Sequence, residues 1–313
     1  MRPLLTLLAL ILLVACGHQT TTTTPSEDNT SEECELLRMK RPVEDISQIT
    51  TRDEYDHYIK HYWDDFNFAI GEDVDLYDES DLYAAFANYV MVIPPAKADS
   101  LLRSLMHRAA SSREVLDLFA QISRDILYDP NAPTRNDEYY QSVLEAMLTS
   151  ELLDEYDRIA PESDLHYVRQ NRRGERANDF TYTLPDGSQH RLHNLKAEYT
   201  ILMFNNPGCE MCRMIIDLIE RSEIIDTLRK SHDIKVVAIY PDEDVEAWRE
   251  YLGSMPEWWI CGHDAEQRIT TERKYDLKAI PSLYLLDADK RVLIRDGVDV
   301  SLFEAALINL TTK

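Results

Sequence analysis

Apolar positions recur at helical spacing through the first half of the chain. Leu101, Leu102, Leu105 and Met106 form one stripe. Val115, Leu116, Phe119, Ile122 and Ile126 form a second, and Val143, Leu144, Met147 and Leu148 a third that continues into Leu152 and Leu153. Residues three and four apart share one helix face, so the pattern predicts amphipathic helices packed on a common core. Breaks are expected at Pro94-Pro95, across Asp129-Pro130-Asn131-Ala132-Pro133 and at Ala160-Pro161, because proline removes a backbone donor and restricts the residue before it. Gly71 is the lone glycine between residues 35 and 170, as suits a helix bundle.

The pattern changes near Asn171-Arg172-Arg173-Gly174. Phe180 to Leu184 and Gln189 to Leu192 flank a Pro185-Asp186-Gly187 turn and read as a hairpin. Tyr199 to Phe204 and Lys235 to Tyr240 are continuous apolar runs of strand length, expected to be buried on both faces. Cys209 to Arg229, Val245 to Leu252, Ala265 to Tyr275 and a stretch from Val300 read as helices. Ser282 to Leu286 and Arg291 to Arg295 read as strands joined through Asp287-Ala288-Asp289-Lys290. Alternating strands and helices predict an α/β domain with a mixed sheet behind an α-helical N-terminal domain.

The first residues have a different character. Arg2 precedes an apolar run from Leu4 to Val14, too short for a membrane-spanning helix but suited to a signal peptide. The run ends Leu13-Val14-Ala15-Cys16, which resembles the bacterial lipobox. That resemblance implies cleavage before Cys16, lipidation of Cys16 and attachment to a membrane in the cell envelope of a Gram-negative bacterium, periplasm-facing or outer-membrane associated. Polar, low-complexity sequence follows and reads as a tether. The expected organisation is a signal peptide over 1–15, a tether over 16–34, a helical domain over 35–170 and an α/β domain over 171–313.

The formal net charge is −24, from 33 Lys and Arg against 57 Asp and Glu. Most of the excess lies between Ser26 and Gln170, with 32 acids and 13 bases. Such a surface repels phosphate and argues against nucleic-acid partners. It serves solubility or offers a docking face to a basic partner. His57 and His61 are four residues apart and share a helix face, but a metal site needs further ligands that the sequence does not supply. Tyr62, Trp63, Phe66 and Phe68 read as core. No metal and no cofactor is expected.

The candidate chemistry is Cys209-Glu210-Met211-Cys212, after a buried strand and at the start of a helix. A helix N-terminus presents unpaired N–H groups and positive potential, which favour a thiolate at Cys209. Cys212, one turn further on, is placed to attack a mixed disulfide formed on Cys209. A structural zinc site would require a second pair of ligands, and a purely structural disulfide would close too small a loop to stabilise much.

Here the chain resembles the thioredoxin superfamily, in its membrane-tethered, extracytoplasmic branch related to cytochrome c maturation reductases. The resemblance rests on Gly174-x-x-Ala177-x-Asp179-Phe180, Leu184-Pro185-Asp186-Gly187, the strand entering the Cys pair, and Tyr275-Asp276-Leu277-Lys278-Ala279-Ile280-Pro281-Ser282-Leu283. It implies an extracytoplasmic thiol–disulfide oxidoreductase, a reductase or isomerase of protein disulfides, with Cys209 as nucleophile, Cys212 as resolving thiol, and a cis Ile280–Pro281 bond in a substrate-binding loop. It also implies partners of two kinds, disulfide-bearing extracytoplasmic proteins and a membrane thiol that donates electrons. A peroxiredoxin is a poorer match, since Asn205-Asn206-Pro207-Gly208 lacks the peroxide-activating residues.

Several family features are replaced. Gly208 stands where an aromatic residue is usual, Glu210-Met211 replaces Gly-Pro, and Met203 and Ile215 occupy the places of the two acidic proton helpers. Asp217 stands where the family's helix-kinking proline would be. The helical half resembles an uncharacterised domain found ahead of thioredoxin-like domains in some Gram-negative lipoproteins. Cys261 reads as a buried structural thiol in or beside an edge strand, with a Cys34–Cys261 bridge as an alternative. The competing functional reading is a redox-inert scaffold whose acidic helical domain binds a partner.

Overall fold

The computed structural model of the chain describes residues 36–40 and 46–312. The expected signal peptide, Cys16, the tether and Cys34 lie outside these residues.

The first helix, α1 (Arg52–Lys60), starts at a capping box. Thr51 accepts from the Glu54 N–H while the Glu54 carboxylate accepts from that of Thr51. Asp78 caps α2 (Glu79–Val92), Pro95 opens α3 (Pro95–Ala109), Ser112 caps α4 (Arg113–Leu127) and Asn136 caps α5 (Asp137–Met147). The apolar stripes read from the sequence meet in one core. Trp63 lies edge-on to Phe119 with ring centroids 5.1 Å apart and Phe66 does the same at 5.2 Å. Such pairs add about 0.5–1.5 kcal/mol each beyond their burial. The His57 and His61 rings lie 4.2 Å apart, tilted by 34°, and His61 Nδ1 lies 2.6 Å from Asp64.

One expected break is absent. Pro161 lies inside α6 (Glu155–Val168). A proline there forgoes the bond to the Asp157 carbonyl, at a cost of about 3 kcal/mol. The helix is held on both sides of it. Asp154 and Asp157 form a capping box, Arg158 donates to the Leu148 and Ser150 carbonyls at 2.7 and 2.8 Å, and Leu165 and Val168 are buried beyond.

The second half is a mixed sheet of seven strands: β1 (Thr181–Thr183), β2 (Gln189–Arg191), β3 (Tyr199–Phe204), β4 (Ile234–Tyr240), β5 (Ile260–His263), β6 (Ser282–Leu286) and β7 (Val292–Gly297). Their order is β2-β1-β5-β4-β3-β6-β7. The three central strands β3, β4 and β5 run parallel, and β6 pairs antiparallel with β3. Side chains alternate across the sheet as the pleat requires. Ile201, Met203, Val236, Ala238, Leu283 and Leu285 face α7 (Glu210–Arg221), α8 (Glu223–Ser231) and α11 (Val300–Thr311). Leu202, Phe204, Val237, Ile239, Tyr284 and Leu286 join Phe180, Tyr182 and Tyr275 in the core of the other face.

Three expectations are corrected here. The long helix expected over Cys209 to Arg229 divides at Ser222, which takes an extended backbone and accepts from the Ile225 N–H at 3.0 Å, capping α8 anew. The helix expected over Ala265 to Tyr275 shrinks to α10 (Arg268–Thr271), between left-handed residues Gln267 and Arg273. Ile269 is its one buried residue, so a longer helix would have no apolar stripe to bury. Cys261 lies on an interior strand, because β5 is flanked by β4 and β1. Between α8 and β5 the chain forms α9 (Val245–Tyr251).

The segment linking the halves joins the sheet. Gly174 N–H donates to Val292 O at 2.8 Å, Val292 N–H to Glu175 O at 2.9 Å, and Ala177 N–H to Lys290 O at 2.9 Å. The chain from Leu36 onward forms one compact unit. Among the described residues no helix is long and apolar enough to cross a membrane.

Candidate active site

Strand β3 ends at Phe204 and the chain turns through Asn205-Asn206-Pro207-Gly208 to reach α7. Gly208 has φ +77°. Cys209 is the N-cap of α7, and its sulfur accepts from the Cys212 N–H at 3.0 Å. Cys209 and Cys212 are joined in a disulfide, so the structure represents the oxidised pair. Their exposures differ. Cys209 is half-buried, whereas Cys212 is fully buried beside Ile215 and Ile216. A thiol partner can reach the first sulfur and not the second.

The Ile280–Pro281 peptide is cis. It brings the Ile280 carbonyl to the site, with Cys209 Sγ 3.7 Å from its oxygen. The five-residue strand β6 follows directly and pairs in register with β3, Phe204 opposite Ser282. Two parts of the chain far apart in sequence are thus fixed beside one another by the central sheet. Pro281 is buried and Ile280 half-buried.

The electrostatic surroundings are spare. Glu210 is exposed and 3.9 Å from Arg213, which gives it a weak, solvated partner. Met203 and Ile215 are buried apolar side chains at the places of the family's proton helpers. Asp217 points to solvent near Arg221. Cys261 belongs to the periphery of the same core, and burial pushes its thiol up to about 11.

The surroundings of the segment leading to Pro281 leave no mark in the sequence. Tyr128, just past α4, donates its hydroxyl to Asp276 at 2.7 Å. Lys278 donates to the same carboxylate oxygen at 2.6 Å and lies 3.1 Å from the centroid of the Tyr128 ring. Burial, and then the Asp276 carboxylate, push the Tyr128 hydroxyl far up, so it stays a donor. On the far side of Pro281, Ser282 donates to Asp296 at 2.6 Å, and Asp296 is also bonded by Arg135. Arg295 donates to the Tyr167 and Val168 carbonyls at 2.9 and 3.1 Å and pairs with Asp137 at 3.1 Å. Nothing in the local pattern of charges marks these pairs.

The parallel β3-β4-β5 core, the antiparallel β6-β7 hairpin, a cysteine pair at a helix N-terminus and a cis-proline beside it define a thioredoxin-like domain. Comparison with known proteins agrees. A family described as thioredoxin-like matches residues 197–292, and a domain of unknown function (DUF5106) matches residues 15–171. A thioredoxin-like protein from Bacteroides caccae ATCC 43185 has 34% identity and a TM-score of 0.80, over 88% of this chain and 99% of that one. The chain therefore belongs to the thioredoxin-like proteins that carry this helical domain ahead of the redox fold. Nucleoredoxins of Xenopus laevis and Danio rerio are 24% and 26% identical over 107 and 105 residues, 33% of this chain in each case. The chain spans about a quarter of the length of these curated relatives.

Proposed function

We propose that the protein is an extracytoplasmic thiol–disulfide oxidoreductase acting on protein disulfides, anchored through lipid on Cys16. The observation that carries this reading is the asymmetry of the pair: Cys209 is half-exposed at the α7 N-terminus, 3.7 Å from the Ile280 carbonyl, and Cys212 is buried behind it. In the reduced enzyme the Cys209 thiolate attacks one sulfur of a substrate disulfide. A mixed disulfide forms with that sulfur, the substrate S–S bond breaks and the other substrate sulfur leaves as thiolate. Cys212, deprotonated, then attacks Cys209 Sγ and releases the substrate sulfur bound to it. The enzyme ends as the Cys209–Cys212 disulfide, having given two electrons, and a membrane thiol donor restores it. The Ile280 carbonyl offers a backbone acceptor to an extended substrate segment.

The reduced protein is expected to reduce insulin, and Cys209→Ala to abolish this. Full activity in that variant would overturn the reading. Cys212→Ala should accumulate mixed disulfides with envelope proteins in cells, which identifies the substrates. The competing scaffold reading draws on the apolar side chains of Met203 and Ile215, which leave Cys212 without a carboxylate to take its proton. Alkylation across pH separates the two. A Cys209 midpoint well below ~8.5 supports the enzyme, and an ordinary thiol near ~8.5 supports the scaffold.

A further inference from the structure

The helical half has no chemical task of its own, yet its contacts with the redox half fall on the stretch leading to Pro281 and on Arg295 and Asp296 of β7. Arg273 donates to Ser163 Oγ at 2.7 Å and its guanidinium lies 4.9 Å from the Tyr167 ring centroid. His166 Nε2 lies 3.2 Å from the Arg273 carbonyl oxygen. Tyr128 holds Asp276, and Arg135 holds Asp296, which holds Ser282. The ties reach residues 273 and 276 directly and residue 282 through Asp296, on either side of Ile280 and Pro281. Tyr128 and Arg135 both come from the short connection between α4 and α5, so one loop of the helical half holds Asp276 at one end of the segment beside Cys209 and, for the other end, the Asp296 that Ser282 bonds.

We infer that the helical domain is a positioning element for the redox site, with Tyr128 and Arg135 as the residues that hold the 276–282 segment against Cys209. This rests on the proposed function. The segment needs such support. From Asp276 to Pro281 it carries no helix or strand, and a loop without ladder bonds opens locally unless side chains tie it down. Its Lys278 N–H is held by Asp276 Oδ1 at 3.2 Å, the carboxylate that Tyr128 orients. The Ser282 hydroxyl is held by Asp296, which sits in a left-handed conformation at φ +46° on the strand paired with β6. Releasing either tie lets the Ile280 carbonyl drift from the position at which it would meet a substrate. Reaction geometry is sensitive to displacements of about 1 Å, which cost up to about 100-fold.

The test uses the full chain with Tyr128→Phe, which keeps the ring under Lys278 and removes only the donor, and with Arg135→Gln and its conservative counterpart Arg135→Lys. Hydrogen exchange at the Lys278, Ala279 and Ile280 amides should rise at least tenfold in Tyr128→Phe and Arg135→Gln. Exchange in β3 and β4 should stay as in the parent, and Arg135→Lys should recover most of the protection. With insulin as substrate, kcat/KM should fall about 10- to 100-fold, mainly through KM. Alkylation of Cys209 by iodoacetamide, which needs no docking, should change less than twofold. Unchanged exchange in the loop, or a rise spread evenly over the sheet, would overturn the inference. A parent protein that reduces no disulfide would remove the proposed function alone, because the exchange measurements still decide whether the helical domain braces the loop.

Discussion

Gly208 sits where the chain enters the redox helix, and replacing it isolates a purely conformational effect. Its φ is +77°, and a Cβ built there meets no atom within 4 Å. Space is therefore not the obstacle. An L-residue in this region pays about 1–2 kcal/mol for the approach of Cβ to the backbone. Gly→Ala returns about 0.4–1 kcal/mol by stiffening the unfolded chain. The net expectation for Gly208→Ala is a loss of about 1 kcal/mol, or about 1.5 °C in Tm for a protein of this size. Gly208→Asn should cost less, because asparagine tolerates left-handed backbone, and Gly208→Val should cost more. Gly262 gives the opposite case. A Cβ there would lie 2.6 Å from Tyr182 Cδ2, with no left-handed backbone, so Gly262→Ala should cost about 1–3 kcal/mol by overpacking. Asparagine should be worse than alanine at that position. Equilibrium urea unfolding followed by tryptophan fluorescence reads all five variants. Stability at position 208 that falls with side-chain size alone, with asparagine below alanine, would refute the backbone explanation. The same reasoning accounts for the missing aromatic residue ahead of the pair: any side chain at 208 carries this strain.

Two further expectations concern titrating groups. Burial works against the charge of Glu145, but hydrogen bonds from Arg169, Gln141 and Arg103 outweigh it and hold the carboxyl down at about 2. A lowered native value stabilises the fold above the unfolded value of about 4.3 and loses that contribution as pH falls towards about 2. Glu145→Gln should therefore be less stable than the parent at neutral pH, with the gap closing across that acidic window; a gap constant with pH would show that the charge is not its cause. Cys261, pushed up to about 11 by burial, should be alkylated slowly at pH 8 in the oxidised protein, at a rate still climbing beyond pH 9, as read by peptide mass spectrometry. A rate that levels off near ~8.5 would mark an ordinary exposed thiol.

What could be read from the sequence was what local physics dictates. The run Tyr199–Phe204 became β3 with the same ends because every residue in it is apolar or β-branched and both its faces are covered. The Cys pair could be placed at a helix start since a strand and a turn precede it. The boundary at Ser222 was hidden because apolar spacing continues across it, and the cap is a single hydroxyl. Pro161 misled for the reverse reason: a strong local signal was overridden by tertiary contacts on both sides. The interior place of β5 depends on the partners it meets, Ala238 on one side and the β1 hairpin on the other, which no property of Ile260–His263 announces. Tyr128 with Asp276, and Arg135 with Asp296, lie 148 and 161 residues apart. Pairing at that distance leaves no periodicity, so the loop's attachment to the helical half appears only in three dimensions.

The backbone bonds from residues 174–177 to Lys290 and Val292 also bear on self-association. An outer strand with free N–H and C=O groups is a template for a strand of another molecule. At one margin of the sheet, β2 is three residues long and carries Gln189, His190 and Arg191, a poor template on both counts. At the other, β7 offers a longer and more apolar border, and the linker covers its start: Gly174 and Glu175 bond Val292, and Ala177 bonds Lys290 just ahead of it. The join between the two halves is thus also a protective selvedge. A redox half cut free at residue 178 would lose it and should gather into oligomers through β7, whereas one cut at residue 171 would keep it.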